Sequence, residues 1–107
     1  MKDALTAALA GTAAVVFARD AADVALLRAA ADTSAMVLLV LAPIVPNLDK
    51  AMLLAAVGAL AVELAPHTRI AALDLHEGAD PTDVTAAAMF LAKAESTTGQ
   101  ILRITAR

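Results

Sequence analysis

The sequence predicts an α/β domain in which four strands form one parallel sheet joined by helical crossovers, and three observations predict it. Short apolar runs alternate along the chain with longer Ala- and Leu-rich segments of helical spacing, the order expected of a parallel sheet with helices between its strands. Residues 35–42 (Ala-Met-Val-Leu-Leu-Val-Leu-Ala) are continuously apolar, which suits a strand covered on both faces. Asp80-Pro81 pairs a capping side chain with a proline at the first helical position, a helix start whose missing N–H costs nothing.

Taken in order, residues 3–10 place Leu5 and Leu9 four apart before Gly11, a short helix with a stop. Residues 13–18 (Ala-Ala-Val-Val-Phe-Ala) make the first strand. Asp20 caps a helix over 20–32, with Val24, Leu27 and Ala31 on one side. Residues 35–42 form the second strand and end at Pro43. Asn47 is the expected cap of a helix over 47–65, closed by Pro66. Residues 69–75 form the third strand, 81–94 a helix, and 101–105 the last strand after the turn at Gly99. Right-handed crossovers between steadily advancing strands are expected to put successive helices on one face and to leave strand 13–18 at an edge.

The chain has 107 residues, room for one domain of modest core. It is 61% hydrophobic and has no cysteine, tyrosine or tryptophan, which excludes thiolate chemistry and an aromatic base-stacking surface. A net charge of −3 with scattered basic residues excludes a phosphate-tracking stripe, so no nucleic acid is expected as a partner. The uncharged runs 33–48 and 51–62 are separated by Asp49-Lys50, and the first holds Pro43, Pro46 and Asn47. Neither has the length of a spanning helix. The apolar stretch 4–17 after Lys2 contains Gly11 and no small-residue cleavage site before Arg19-Asp20. The expectation is a buried, non-membrane segment and a cytoplasmic chain.

Residues 50–67 read Lys-Ala-Met-Leu-Leu-Ala-Ala-Val-Gly-Ala-Leu-Ala-Val-Glu-Leu-Ala-Pro-His, which resembles the active-site helix of short-chain dehydrogenases/reductases, where K-A-A-L is followed by A-L-A-V-E-L-A-P-H. Residues 69–73 are similar to the strand after that helix. Residues 81–92 and Thr98-Gly-Gln-Ile-Leu-Arg-Ile104 are similar to the family's last helix and last strand. Joint order and spacing carry the resemblance, well over 50–104 and more loosely over 13–45. It implies the C-terminal half of a Rossmann-like sheet, and it is strongest to the degenerate N-terminal domain of large two-domain 3-oxoacyl carrier-protein reductases.

The same resemblance marks what these 107 residues lack. Gly11, Gly58, Gly78 and Gly99 are not spaced as a dinucleotide-binding loop. The family's proton-shuttling tyrosine stands four residues before its lysine, where this chain has Pro46, and its serine falls where this chain has Ala42 and Pro43. Lys50 matches the lysine that holds the nicotinamide ribose, but with no tyrosine and no loop it is expected to be a surface residue paired with a neighbour such as Asp49. No catalytic residue, cofactor or metal is expected.

Other polar residues have bland roles. Asp23 and Arg28 are read as a solvated helix face, and His67 as a cap at a helix end. Ser34, Ser96, Thr97 and Thr98 lack a nucleophile elbow. Asp74, His76 and Glu77 sit where a strand meets a loop at the carboxyl end of the sheet, the place where open α/β sheets hold ligands, and form the candidate ligand loop.

Residues 51–62 carry no charged or strongly polar side chain, and so many consecutive positions at about 100° each cover every side of a helix. A sheet can bury one side only, so the other must meet a partner. Met52, Leu53, Ala55, Ala56, Ala59 and Leu60 are the expected interface, in a homo-oligomer or in a heteromer with a full-length reductase-like enzyme. The expected function is that of a non-catalytic dehydrogenase-like module acting by association. Half of a split oxidoreductase and a small-ligand binder are the alternatives.

Overall fold

The computed structural model describes residues 2–107. Its elements are α1 (Lys2–Ala8), β1 (Ala14–Ala18), a 3-10 turn (Ala21–Asp23), α2 (Val24–Ala31), β2 (Met36–Leu41), α3 (Asn47–Leu64), β3 (Arg69–Leu75), α4 (Pro81–Lys93) and β4 (Gln100–Ile104). The four strands form one sheet in the order β1-β2-β3-β4, and every neighbouring pair is parallel. The α/β reading therefore holds, with β1 at one edge and β4 at the other.

The sheet has two buried faces. Val37, Leu39, Leu41, Ile70 and Ala72 point to one side, where Leu27 of α2 and Leu53, Val57, Leu60 and Ala61 of α3 cover them. Met36, Leu38, Val40, Ala71, Leu73 and Leu75 point to the other side, under Val84, Ala88 and Leu91 of α4 and Leu5 and Leu9 of the N-terminal segment. This corrects the expectation that successive helices share a face. With the strands advancing in order, α4 on the far side gives the β3–β4 crossover the opposite hand to the first two. The physical reason lies in β2 and β3: all six residues of β2 and six of seven in β3 are buried, so both faces need a cover. A third helix beside α2 and α3 would have left one apolar face bare.

Two helix starts differ in how they are capped. Asp80 accepts from Thr82 N at 2.7 Å, and Pro81 is the first helical residue, as the sequence implies. Asn47 is not the cap of α3. It is already helical, Pro46 occupies the cap position, and the Pro46 carbonyl accepts from Lys50 N at 2.9 Å. Asp20 caps the 3-10 turn by accepting from Ala22 N at 3.0 Å. Asp49 is also committed to this turn, accepting from Ala21 N at 2.9 Å and so tying α3 to the end of β1.

Candidate functional site

Lys50 lies in the first turn of α3, one turn inside the carboxyl edge of the sheet. The register pairs Leu41 with Asp74 at that edge, and α3 packs over β3. A lysine on the sheet-facing side of α3 therefore reaches the end of β3. Its Nζ donates to Asp74 Oδ1 at 2.9 Å and to the Leu75 carbonyl at 3.1 Å. Both partners of this ion pair are buried, Lys50 at 9% and Asp74 at 6% exposure. The surface pairing with Asp49 expected from sequence is thus replaced by a buried one, because Asp49 points at the 3-10 turn.

Asp74 gathers more than the lysine. Its Oδ2 lies 3.2 Å from His76 Nε2 and 4.0 Å from Arg103 Nε on the neighbouring β4, whose register sets Arg103 opposite Asp74. Burial pushes the Asp74 carboxyl up, but the hydrogen bonds from Lys50 and His76 and their charges outweigh it, and the pKa lies below the ordinary aspartate value. The buried carboxylate therefore stays ionised, with each oxygen engaged.

These groups line a cleft of about 630 Å³ at the carboxyl end of β2, β3 and β4. Its walls are Pro43, Ala51 and Leu54, and its polar rim includes Asn47, His76, Glu77 and Arg103. The structure brings Asp74, His76 and Glu77 into this one cleft and adds Lys50 and Arg103 to them. Arg103 escaped the sequence reading. Its only signal is its place in an otherwise apolar strand, and its distance from Asp74 depends on the β3–β4 register. Asp74 and His76 pair with each other, and among the described residues no three acidic or imidazole side chains converge as a metal set.

Asp23 is buried rather than solvated, and accepts from Arg19 N at 2.8 Å, which closes the turn after β1. Arg28 and Glu63 form an exposed pair between α2 and α3. His67 is exposed beyond the end of α3 and makes no side-chain hydrogen bond among the described residues, so no hydrogen bond from it caps the helix. That role at the end of α4 belongs to Arg69, which donates to the carbonyls of Ala92 and Ala94.

The interface residues expected from sequence separate in the structure. Leu53 and Leu60 face the sheet at 1% and 2% exposure and belong to the core, and Ala56 is half-buried. Met52, Ala55 and Ala59 face outward, in line with exposed Leu48 and Val62. No helix among the described residues is long and apolar enough to cross a membrane.

Comparison with curated proteins and with solved structures gave no match in either set. A family model described as short chain dehydrogenase-like protein matches residues 2–104, almost the whole chain and every strand and helix of the fold just described, and the chain belongs to that short-chain dehydrogenase-like family.

Proposed function

We propose that this chain works by association, as a non-catalytic dehydrogenase-like module that pairs with a second copy of itself or with a full-length reductase-like enzyme. The family likeness suggests a setting in acyl or polyketide metabolism. The observation that carries the reading is the outer side of α3. Leu48, Met52, Ala55, Ala59 and Val62 recur at alternating steps of four and three residues, the spacing of a helix–helix seam. All five are exposed, Val62 at 82% and Leu48 at 73%. They lie opposite the buried stripe of Leu53, Val57 and Leu60, so the sheet cannot cover them. Small side chains in the middle of the stripe allow a partner helix to approach closely. The adjoining 3-10 turn exposes Ala22 and α2 exposes Ala25, Leu26 and Ala29, which widens the apolar surface. Surfaces of this kind in soluble proteins are commonly interaction sites.

The chemistry of the chain supports the same reading. With no tyrosine in the sequence, the proton relay of the family has no carrier, and Lys50 is held by Asp74 and Leu75. Light scattering over a concentration series tests the proposal. A mass of two or more chains is the expected result of self-pairing, and a stable soluble monomer at high micromolar concentration overturns self-pairing. Calorimetric titration with NADH and NADPH is expected to give no saturable binding.

One observation favours a second reading, half of a split oxidoreductase. Lys50 sits beside an open cleft at the carboxyl edge of the sheet, where a partner supplying the nucleotide-binding half would also supply a tyrosine. Reductase activity that appears only on mixing with such a partner, and disappears in Lys50→Met, would select it over the first.

A further inference from the structure

We infer that the cleft beside Lys50 binds a monocarboxylate with a short apolar tail. The argument starts from unused donors. Lys50 carries three ammonium protons, and Asp74 Oδ1 and the Leu75 carbonyl accept two of them; no further acceptor for Nζ is present among the described residues. Arg103 touches Asp74 only at 4.0 Å through Nε and is 70% exposed, so its terminal nitrogens are available. His76 is not among these donors, since its Nε2 is engaged with Asp74 Oδ2. The buried acceptor is in the opposite condition, since both Asp74 oxygens are engaged, and the free acceptors are the solvent-exposed Glu77 and Asn47. Unused donors beside a carboxylate that is already engaged call for a ligand rich in acceptors, and the flat fork of a guanidinium matches a carboxylate best.

Two features narrow the class. Glu77 is exposed on the same rim and carries its own negative charge, which disfavours a dianion such as phosphate. Pro43, Ala51 and Leu54 give one wall of the cleft an apolar lining, which suits a short aliphatic tail extending from the carboxylate. The site meets the association surface at one end only, where Ala51 lies one turn from Leu48 and Ala55, while Ala59 and Val62 lie farther along α3. The inference goes beyond the association reading and does not depend on it.

The test is an amide-detected NMR titration of the full chain with four probes: hexanoate, acetate, hexanamide and inorganic phosphate. Hexanoate is expected to give saturable shifts at residues 50–54, 74–77 and 103, with affinity about tenfold or more above that of acetate, a factor that burial of about two of its extra methylenes supplies. Hexanamide, which keeps the tail and lacks the charge, and phosphate, which has charge and no tail, are expected not to saturate. Arg103→Gln should weaken hexanoate binding about tenfold or more while leaving the spectrum of the free protein otherwise unchanged, because the residue is exposed and its loss removes a charge-assisted hydrogen bond. Absence of saturation by hexanoate overturns the inference. So does binding of hexanamide as tight as that of hexanoate, or hexanoate affinity unchanged in Arg103→Gln. Repeating the titration on Ala59→Glu, whose substitution lies on the outer stripe about two turns from Ala51, is expected to give the same affinity, which separates ligand binding from association.

Discussion

Lys50 and Asp74 lie 24 residues apart in the chain and form a buried ion pair at 2.9 Å that joins the first turn of α3 to the end of β3. Removing one partner of such a pair leaves the other charged and buried, which costs far more than the net worth of the pair. Asp74→Leu should therefore destabilise the fold by about 3 kcal/mol, and Lys50→Met by a similar amount. The double variant Lys50→Met with Asp74→Leu should recover most of the loss, since replacing both charges by apolar groups of like volume is often close to neutral. Urea unfolding of the three proteins checks this. Additive losses in the double variant would show that the two residues do not act as a pair.

Acid should unfold the chain in a way that Asp74 helps to set. The Asp74 carboxyl is depressed below its ordinary value by Lys50 and His76 against the opposing effect of burial, and those of Asp23 and Asp83 are depressed chiefly by hydrogen bonds from Arg19 and Arg107. A carboxyl with a lower pKa folded than unfolded binds its proton more readily in the unfolded chain. The stability it supplies is complete above the unfolded value and is lost as the pH falls through the folded one. The unfolding midpoint should thus decline below about pH 5. In Asp74→Asn and Asp83→Asn that decline should be shallower, whatever the midpoint at neutral pH. A slope equal to that of the unmodified chain in Asp74→Asn would remove Asp74 from the account.

The strands and helices were legible because local pattern decides them: the run 35–42 and the Asp80-Pro81 start both stand where the sequence places them. The face taken by α4 was not legible from crossover handedness. The apolar character of both sides of β2 held the information, since a strand with no polar alternation needs cover above and below. At the candidate site, the loop of Asp74, His76 and Glu77 was visible as a polar cluster after an apolar strand. The partner of Lys50 was not, because nearness in sequence favoured Asp49 while helix phase turned Lys50 toward the sheet and Asp49 toward the 3-10 turn. Arg103 needed the β3–β4 register, which no local pattern encodes.

Gly58 and Gly78 should respond to alanine with opposite signs. Gly58 lies within α3, and a Cβ built there meets nothing within 4 Å in this chain. Gly58→Ala should stabilise the dilute protein by about 0.5–1 kcal/mol, the propensity difference in a helix interior. Gly78 has φ +80°, and a Cβ there would lie 2.9 Å from the Cβ of Ala106. Gly78→Ala should cost about 1 kcal/mol or more, since the backbone is strained and the C-terminal segment must move. Thermal unfolding of both variants settles the signs, and a stabilised Gly78→Ala would show that the turn does not need its left-handed conformation.

The outer stripe of α3 gives the most direct prediction about association. Ala55 and Ala59 are exposed in the single chain, and glutamate is a good helix former, so Ala55→Glu and Ala59→Glu should change the stability of the monomer by only a few tenths of a kcal/mol. In a helix–helix seam the same change buries a charge against apolar side chains, which an interface of this kind does not tolerate. Each variant should therefore lower the mass measured by light scattering to that of one chain while the far-ultraviolet circular dichroism stays the same. Glu63, also on α3 but held by Arg28 at the α2 side, supplies the control: Glu63→Gln should leave the mass unchanged. An assembly that survives glutamate at both Ala55 and Ala59 would place the interface elsewhere, and a monomer already present in the unmodified chain would remove the need for one. The buried side of the same helix distinguishes loss of contact from loss of fold, because Leu53→Glu should abolish the circular dichroism signal by placing a carboxylate in the core, at a residue 1% exposed.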